Sequence, residues 1–161
     1  MKLLILSLLS GVFPCLYAVN NLRLPDMRSV GMGECGITQS FLFNPALISR
    51  ESYKSLDINY FNRYGLKELG VINLSFSYPA TFLPIGVNIS SFGYDRYRES
   101  MFRIFLGKSL NEKWNIGISI QYSIIQTELT GEHPQYLSTD IGIIYSPVEK
   151  LLICLLYTSD A

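Results

Sequence analysis

The stretch WNIGISIQY, from Trp114 to Tyr122, carries the pattern that decides the fold. Every second residue is large and apolar, and the residues between are small or polar. A strand places alternate side chains on opposite faces, whereas a helix would spread these apolar residues around its axis. The stretch therefore predicts a β-strand with one apolar face and one polar face.

The same alternation recurs along most of the chain, with Phe105 and Ile144 as exceptions. It predicts six strands, near residues 53–63, 68–78, 85–94, 100–109, 113–125 and 137–146. Tilted strands of about 10 residues can cross the hydrocarbon layer of a membrane. Tyr and Trp near strand ends are typical of the aromatic girdles of outer-membrane barrels. We therefore expect an all-β fold, an antiparallel meander that forms part of a transmembrane β-barrel.

In such a barrel, the alternation assigns each side chain to the lipid or to the lumen. The side chains expected to face lipid are Trp114, Ile116, Ile118, Ile120 and Tyr122. The polar side chains expected to face the lumen are Asp57, Asn73, Arg103 and Asp140. A carboxylate there would be hydrated or paired with Arg103. Ile118→Lys is then expected to cost about 2–4 kcal/mol near the bilayer midplane, whereas Ser119→Lys costs little.

A soluble β-sandwich alternates in the same way, but its strands are usually nearer about 5–6 residues. The links between the predicted strands favour the barrel. Links two and four are short, at 79–84 and 109–113, and links one, three and five are richer in charge and Tyr, at 62–68, 95–100 and 126–138. Barrels of the outer membrane combine short periplasmic turns with longer external loops. We expect the odd-numbered links to be extracellular.

Composition and motifs exclude several classes of function. The chain has 13 basic and 13 acidic residues, so no net charge attracts it to nucleic acid. Its one histidine, His133, lies in a polar loop with no Ser or Cys close by in the sequence. The glycines of Gly31-Met-Gly33 follow no predicted strand, which argues against a nucleotide-binding loop. We expect a protein that is not an enzyme and uses no cofactor or metal.

The first residues are typical of an export signal. A single positive charge at Lys2 precedes an apolar core from Leu3 to Phe13, and Ala18 suits the position before cleavage. Cys15 follows Pro14, which fits a lipoprotein processing site poorly. We expect a signal peptide over 1–18, a plug segment over 19–50 and a partial barrel over 51–153.

The last eight residues, CLLYTSDA from Cys154 to Ala161, resemble the translation of a transposon-end adapter used in DNA sequencing libraries. This resemblance implies that the natural chain is interrupted at about Ile153 and that 154–161 is an artefact without consistent sheet contacts. Cys35 would then be the one cysteine of the mature natural chain, so no internal disulfide is expected. Six strands are also fewer than the eight of the smallest single-chain bacterial barrels, so we expect no closed barrel.

The segment before the first strand joins a glycine-rich stretch to the turn FNPALI, from Phe43 to Ile48. Glycine permits close backbone contact and Asn-Pro favours a turn, which predicts a compact plug inside the barrel. The residues that carry this motif are Arg28, Gly31, Met32, Gly33, Asn44, Pro45, Ala46 and Leu47. In this pattern, followed by alternating strands, the chain resembles the PorV/PorQ family, which is related to the long-chain fatty-acid transporter barrels.

The resemblance implies a barrel of about 14 strands with an N-terminal plug, in the outer membrane of a Gram-negative bacterium. It implies a transport role or an accessory role in type IX secretion. The expected partners are outer-membrane lipid and either secretion-system components or a hydrophobic small molecule. The alternative is a soluble secreted β-protein that acts as an adhesin or binding module.

Overall fold

The computed structural model describes Gly31 and residues 40–62, 65–94, 96–128, 133–148 and 151–160. The expected signal peptide and, apart from Gly31, residues 19–39 of the expected plug lie outside this range. Seven strands are described: β1 (Ser55–Asn62), β2 (Gly70–Tyr78), β3 (Ile85–Tyr94), β4 (Tyr97–Ser109), β5 (Trp114–Thr127), β6 (Gln135–Val148) and β7 (Leu151–Asp160). Two 3₁₀ helices, Pro45–Arg50 and Lys67–Leu69, precede β1 and β2.

The strands form one antiparallel sheet in the order β1-β2-β3-β4-β5-β6-β7, so every strand pairs with its sequence neighbour. The all-β meander predicted from the alternation is confirmed. We call the end of the sheet that carries the β2–β3, β4–β5 and β6–β7 links the lower end, and the opposite end the upper end. No helix among the described residues is long and apolar enough to cross a bilayer.

The register keeps apolar residues on one face across the whole sheet. One row of directly opposed residues runs from β2 to β7 through Tyr78, Ile85, Leu106, Ile118, Ile141 and Tyr157. A shift by one residue in any pair would move apolar side chains to the other face, so the alternation excludes odd shifts of the register but allows shifts of two residues.

The burial of polar and apolar side chains on the two faces of the sheet is the reverse of that in a soluble β-protein. On the outer face, apolar side chains are exposed, and Ile58 on β1 reaches 72%. On the inner face, polar side chains are buried, and Asn73, Asn88 and Asp140 are each at most 3% exposed. The described residues form a single sheet, whereas a β-sandwich packs two sheets through their apolar faces. Among the described residues, the apolar face is the one left uncovered.

The seventh strand corrects two expectations. Six strands were predicted, and residues 154–161 were expected to make no consistent sheet contacts. Instead, β7 includes residues 154–160 and pairs with β6 from Tyr145↔Ile153 to Ser138↔Asp160. The physical reason is that Leu155 and Tyr157 continue the exposed apolar alternation, and the edge of β6 offers backbone groups for pairing. The pairing of β7 with β6 requires only strand-forming residues beside an open edge, so it does not depend on whether residues 154–161 are natural or encoded by an adapter.

The third link also differs from its prediction. The loop was expected over 95–100, but Tyr97 pairs with Tyr94 and β4 begins there, so only positions 95 and 96 lie between the two strands. Gly93 supports the turn with a φ of 108°, in the region that favours glycine. Link three is therefore shorter than link two, and the alternation of short even links with longer odd links is wrong at this position.

Candidate functional site

The centre of the inner face holds a buried ion pair. Arg103 on β4 contacts the Oδ2 atom of Asp140 on β6, and the two side chains are 7% and 3% exposed. Ser119, on the intervening strand β5, lies directly opposite Asp140. Its Oγ accepts a hydrogen bond from Arg103 Nε at 3.2 Å and donates to Asp140 Oδ2 at 3.0 Å. The pairing of Asp140 with Arg103 is one of the two states expected from the sequence.

Arg103 also holds the chain that precedes β1. Its Nη1 donates a hydrogen bond of 2.9 Å to the carbonyl oxygen of Leu42. The guanidinium carbon lies 4.8 Å from the ring centroid of Phe105, and the Phe41 ring meets Phe105 edge-on at 5.1 Å. One side chain thus links the ion pair to residues 40–50, which we call the inner segment.

The inner segment turns at the Asn-Pro-Ala sequence for local reasons. Asn44 has extended backbone angles, and its Oδ1 accepts a hydrogen bond of 3.0 Å from the amide of Ala46. Pro45 takes the first helical position, where its missing N–H costs no hydrogen bond. The four residues Asn44 to Leu47 are buried. The short helix therefore packs with its N-terminal part against the sheet.

A row of glycines on the inner face makes room for the inner segment. Gly107, Gly117 and Gly142 lie directly opposite one another on β4, β5 and β6. A Cβ at Gly117 would overlap the backbone of Pro45 and Ala46. A Cβ at Gly107 would overlap Ile48, and one at Gly142 would overlap the Asn44 side chain. These three positions, which we call the glycine row, set how closely the segment can approach the wall.

Apolar residues of the inner face complete the contact. Phe105 and Ile144 are fully buried and form one cluster with Phe41, Ala46, Leu47 and Ile48 of the inner segment. These two residues are the exceptions to the alternation of β4 and β6. Apolar side chains at these two positions of the polar face are therefore the sequence signal for a contact there, although in the alternation alone they are only irregularities.

Polar side chains fill the inner face beside this cluster. Asn88 Nδ2 donates to Asn73 Oδ1 at 2.8 Å, and Asn73 Nδ2 donates to Ser90 Oγ at 3.0 Å. Nearer the lower end, Ser49 Oγ and Ser109 Oγ both donate to Asn115 Oδ1, at 3.0 and 2.7 Å. Buried amides and hydroxyls are expected to be hydrogen bonded, and these are.

The residues predicted to face lipid and those predicted to face the lumen lie on opposite faces of the sheet, as their alternate positions along each strand require. Trp114, Ile116, Ile118, Ile120 and Tyr122 lie on the outer face and are 37–46% exposed. On the inner face, Asn73, Arg103 and Asp140 are buried, whereas Asp57 is exposed on the edge strand β1 opposite Ser75.

The plug motif is described only in part. Asn44, Pro45, Ala46 and Leu47 pack in the inner segment, whereas Gly31 is exposed and a Cβ there would meet nothing within 4 Å. Arg28, Met32 and Gly33 lie outside the described residues.

Ser119 was expected to accept lysine at little cost, and its surroundings argue otherwise. The side chain is 1% exposed and hydrogen bonded between Arg103 and Asp140. A lysine there would bring a second cation beside Arg103 and would have no space. The expectation that Ser119→Lys costs little is therefore wrong, because the side chain is buried and hydrogen bonded on both sides.

The residues described include no cluster of three or more His, Cys, Asp or Glu side chains that could hold a metal ion. His133 is exposed in the link between β5 and β6. What the inner face can do chemically is to hold a chain segment through one ion pair, amide hydrogen bonds and a close glycine contact.

Comparisons of the chain with protein-family models, with curated proteins and with solved structures give no significant match. The resemblance to the PorV/PorQ family therefore stays a prediction from the motif.

Proposed function

We propose that this chain forms part of the wall of an outer-membrane β-barrel with a transport or secretion-accessory role, and that the inner segment belongs to a plug within it. The observation that carries the proposal is the reversed placement of polar and apolar side chains. Ile118 and its outer-face neighbours are exposed, whereas Arg103 and Asp140 are buried on the other face. Water disfavours such an exposed apolar sheet, and a hydrocarbon layer favours it.

The occupied inner face supports the plug. Asn44 to Ile48 are buried against the glycine row, so this part of the wall faces protein rather than open water. A transporter would need an apolar pocket in the lumen and an opening through the wall, and a secretion accessory would need an outer loop surface that binds cargo or the translocon.

The test is association with a bilayer. The chain, unfolded in urea, is diluted into phosphatidylcholine vesicles, and flotation and circular dichroism are measured. We expect β-structured protein to float with the lipid, because the exposed apolar face of the sheet associates with hydrocarbon. A β-structured monomer that stays soluble without lipid would contradict the proposal and favour the secreted adhesin or binding module.

A further inference from the structure

Lysines at the lower end of the outer face lie over aromatic rings. Lys54 Nζ, just before β1, is 4.8 Å from the ring centroid of Tyr78, and Lys108 Nζ, near the end of β4, is 4.2 Å from that of Phe82. Tyr78 is 42% exposed and Phe82 is 77% exposed. A cation within about 6 Å of a ring centroid is attracted to the ring face. These rings therefore hold two cations at the same edge of the outer face.

A third aromatic pair continues this edge. Trp114 at the start of β5 stacks on Tyr145 of β6, with centroids 4.4 Å apart and planes at 29°. Lys113 precedes Trp114 and is exposed, and Lys108 lies opposite Ile116 on the neighbouring strand. We call this set the lower rim: Lys54, Lys108, Lys113, Tyr78, Phe82, Trp114 and Tyr145.

The charges at the two ends of the sheet have different partners. At the upper end, Arg96 pairs with the carboxylate of Glu128 at 3.8 Å. At the lower rim, Lys54 and Lys108 lie on rings instead. A ring does not neutralise an ammonium group, which has three N–H donors and can still bind an anion. The carboxylates near this end among the described residues are Glu51 and Glu112, and cations outnumber them.

We propose that the lower rim binds the headgroups of anionic phospholipids, with Lys54, Lys108 and Lys113 contacting phosphate and the rings lying at the level of the interface. This inference rests on the proposed function, because the rim meets headgroups only when the outer face is in a bilayer. Aromatic rings and lysines with apolar stems both favour that depth. Lysines near an anionic surface are attracted to it, which selects anionic over zwitterionic lipid.

Trp114 makes the inference testable because it is the single tryptophan of the chain. The full chain is reconstituted in phosphatidylcholine vesicles containing a minor fraction of a brominated quencher lipid. The quencher is either brominated phosphatidylcholine or brominated phosphatidylglycerol. We expect the anionic quencher to reduce Trp114 fluorescence at least about twofold more effectively at low salt. Because screening weakens exposed charge interactions, the difference should shrink at high salt.

The matched variants are Lys108→Gln with Lys113→Gln at the rim, and Lys67→Gln in the exposed link at the upper end. The rim variant is expected to lose the preference for the anionic quencher, and Lys67→Gln to keep it. Equal quenching by both lipids in the unsubstituted chain, or equal losses in rim and upper-end variants, would overturn the inference and leave the proposed function standing. Quenching by neither lipid would overturn the proposed function itself.

Discussion

Arg103 and Asp140 form an ion pair although their strands, β4 and β6, are not neighbours in the sheet. Ser119 on the strand between them is hydrogen bonded to both side chains, so three strands share one polar contact. Because the pair is buried, water stabilises its two charges less than it would stabilise those of an exposed pair. Each charge is therefore stabilised mainly by its partner.

Removing one member of this pair is expected to be costly. Asp140→Asn should lower the free energy of unfolding by about 3–5 kcal/mol, because Arg103 then stays buried without this counter-charge. Urea titration of the folded chain in vesicles measures the change. The control is Asp57→Asn, an exposed inner-face carboxylate, with an expected change within about 0.5 kcal/mol. Equal losses in both variants would contradict a special role for the pair.

The glycine row should control the position of the inner segment. Gly117→Ala places a methyl group where the backbone of Pro45 and Ala46 lies, so the segment must move away from β5. We expect trypsin to cut faster after Arg50, at the end of the 3₁₀ helix. Gly31→Ala is the matched control, since nothing lies within 4 Å of its Cβ position. Unchanged cleavage in Gly117→Ala would show that the contact does not hold the segment.

Two adjacent residues of β1 test which face meets lipid. Ile58 is exposed on the outer face, and Asn59 lies on the inner face opposite Asn73. Ile58→Lys should cost about 2–4 kcal/mol near the bilayer midplane, because the charge enters hydrocarbon. Asn59→Lys should cost distinctly less. The comparison is made by titrating folding into vesicles, and the assignment of faces fails if Asn59→Lys is the more damaging change.

The turn between β3 and β4 should depend on Gly93. Its φ of 108° disfavours other residues, and a Cβ there would overlap the carbonyl of Tyr97. Gly93→Ala is expected to cost about 1–3 kcal/mol of unfolding free energy, measured by urea titration. Gly65→Ala is the comparison, because Gly65 also has a positive φ of 68° but open space around it. A larger loss at Gly65 than at Gly93 would argue against the close contact with Tyr97.

Much of the wall could be predicted from the sequence because a strand repeats every two residues. Trp114 to Tyr122 predicts a strand and its two faces without any knowledge of its neighbours. The antiparallel order follows from links too short for crossover connections. The start of β4 could not be placed this way, since Tyr97, Arg98 and Glu99 do not follow the alternation and are strand through their pairing with β3 and β5.

The inner face shows what only the tertiary structure decides. The sequence by itself determined that Arg103, Ser119 and Asp140 share a face with Gly107, Gly117 and Gly142, because parity is a property of each strand alone. It did not determine that Arg103 reaches Asp140 across β5, or that the glycines lie in one row beneath Pro45 and Ala46. Those contacts depend on the register between strands and on a segment distant along the chain, and both exist only once the sheet has formed.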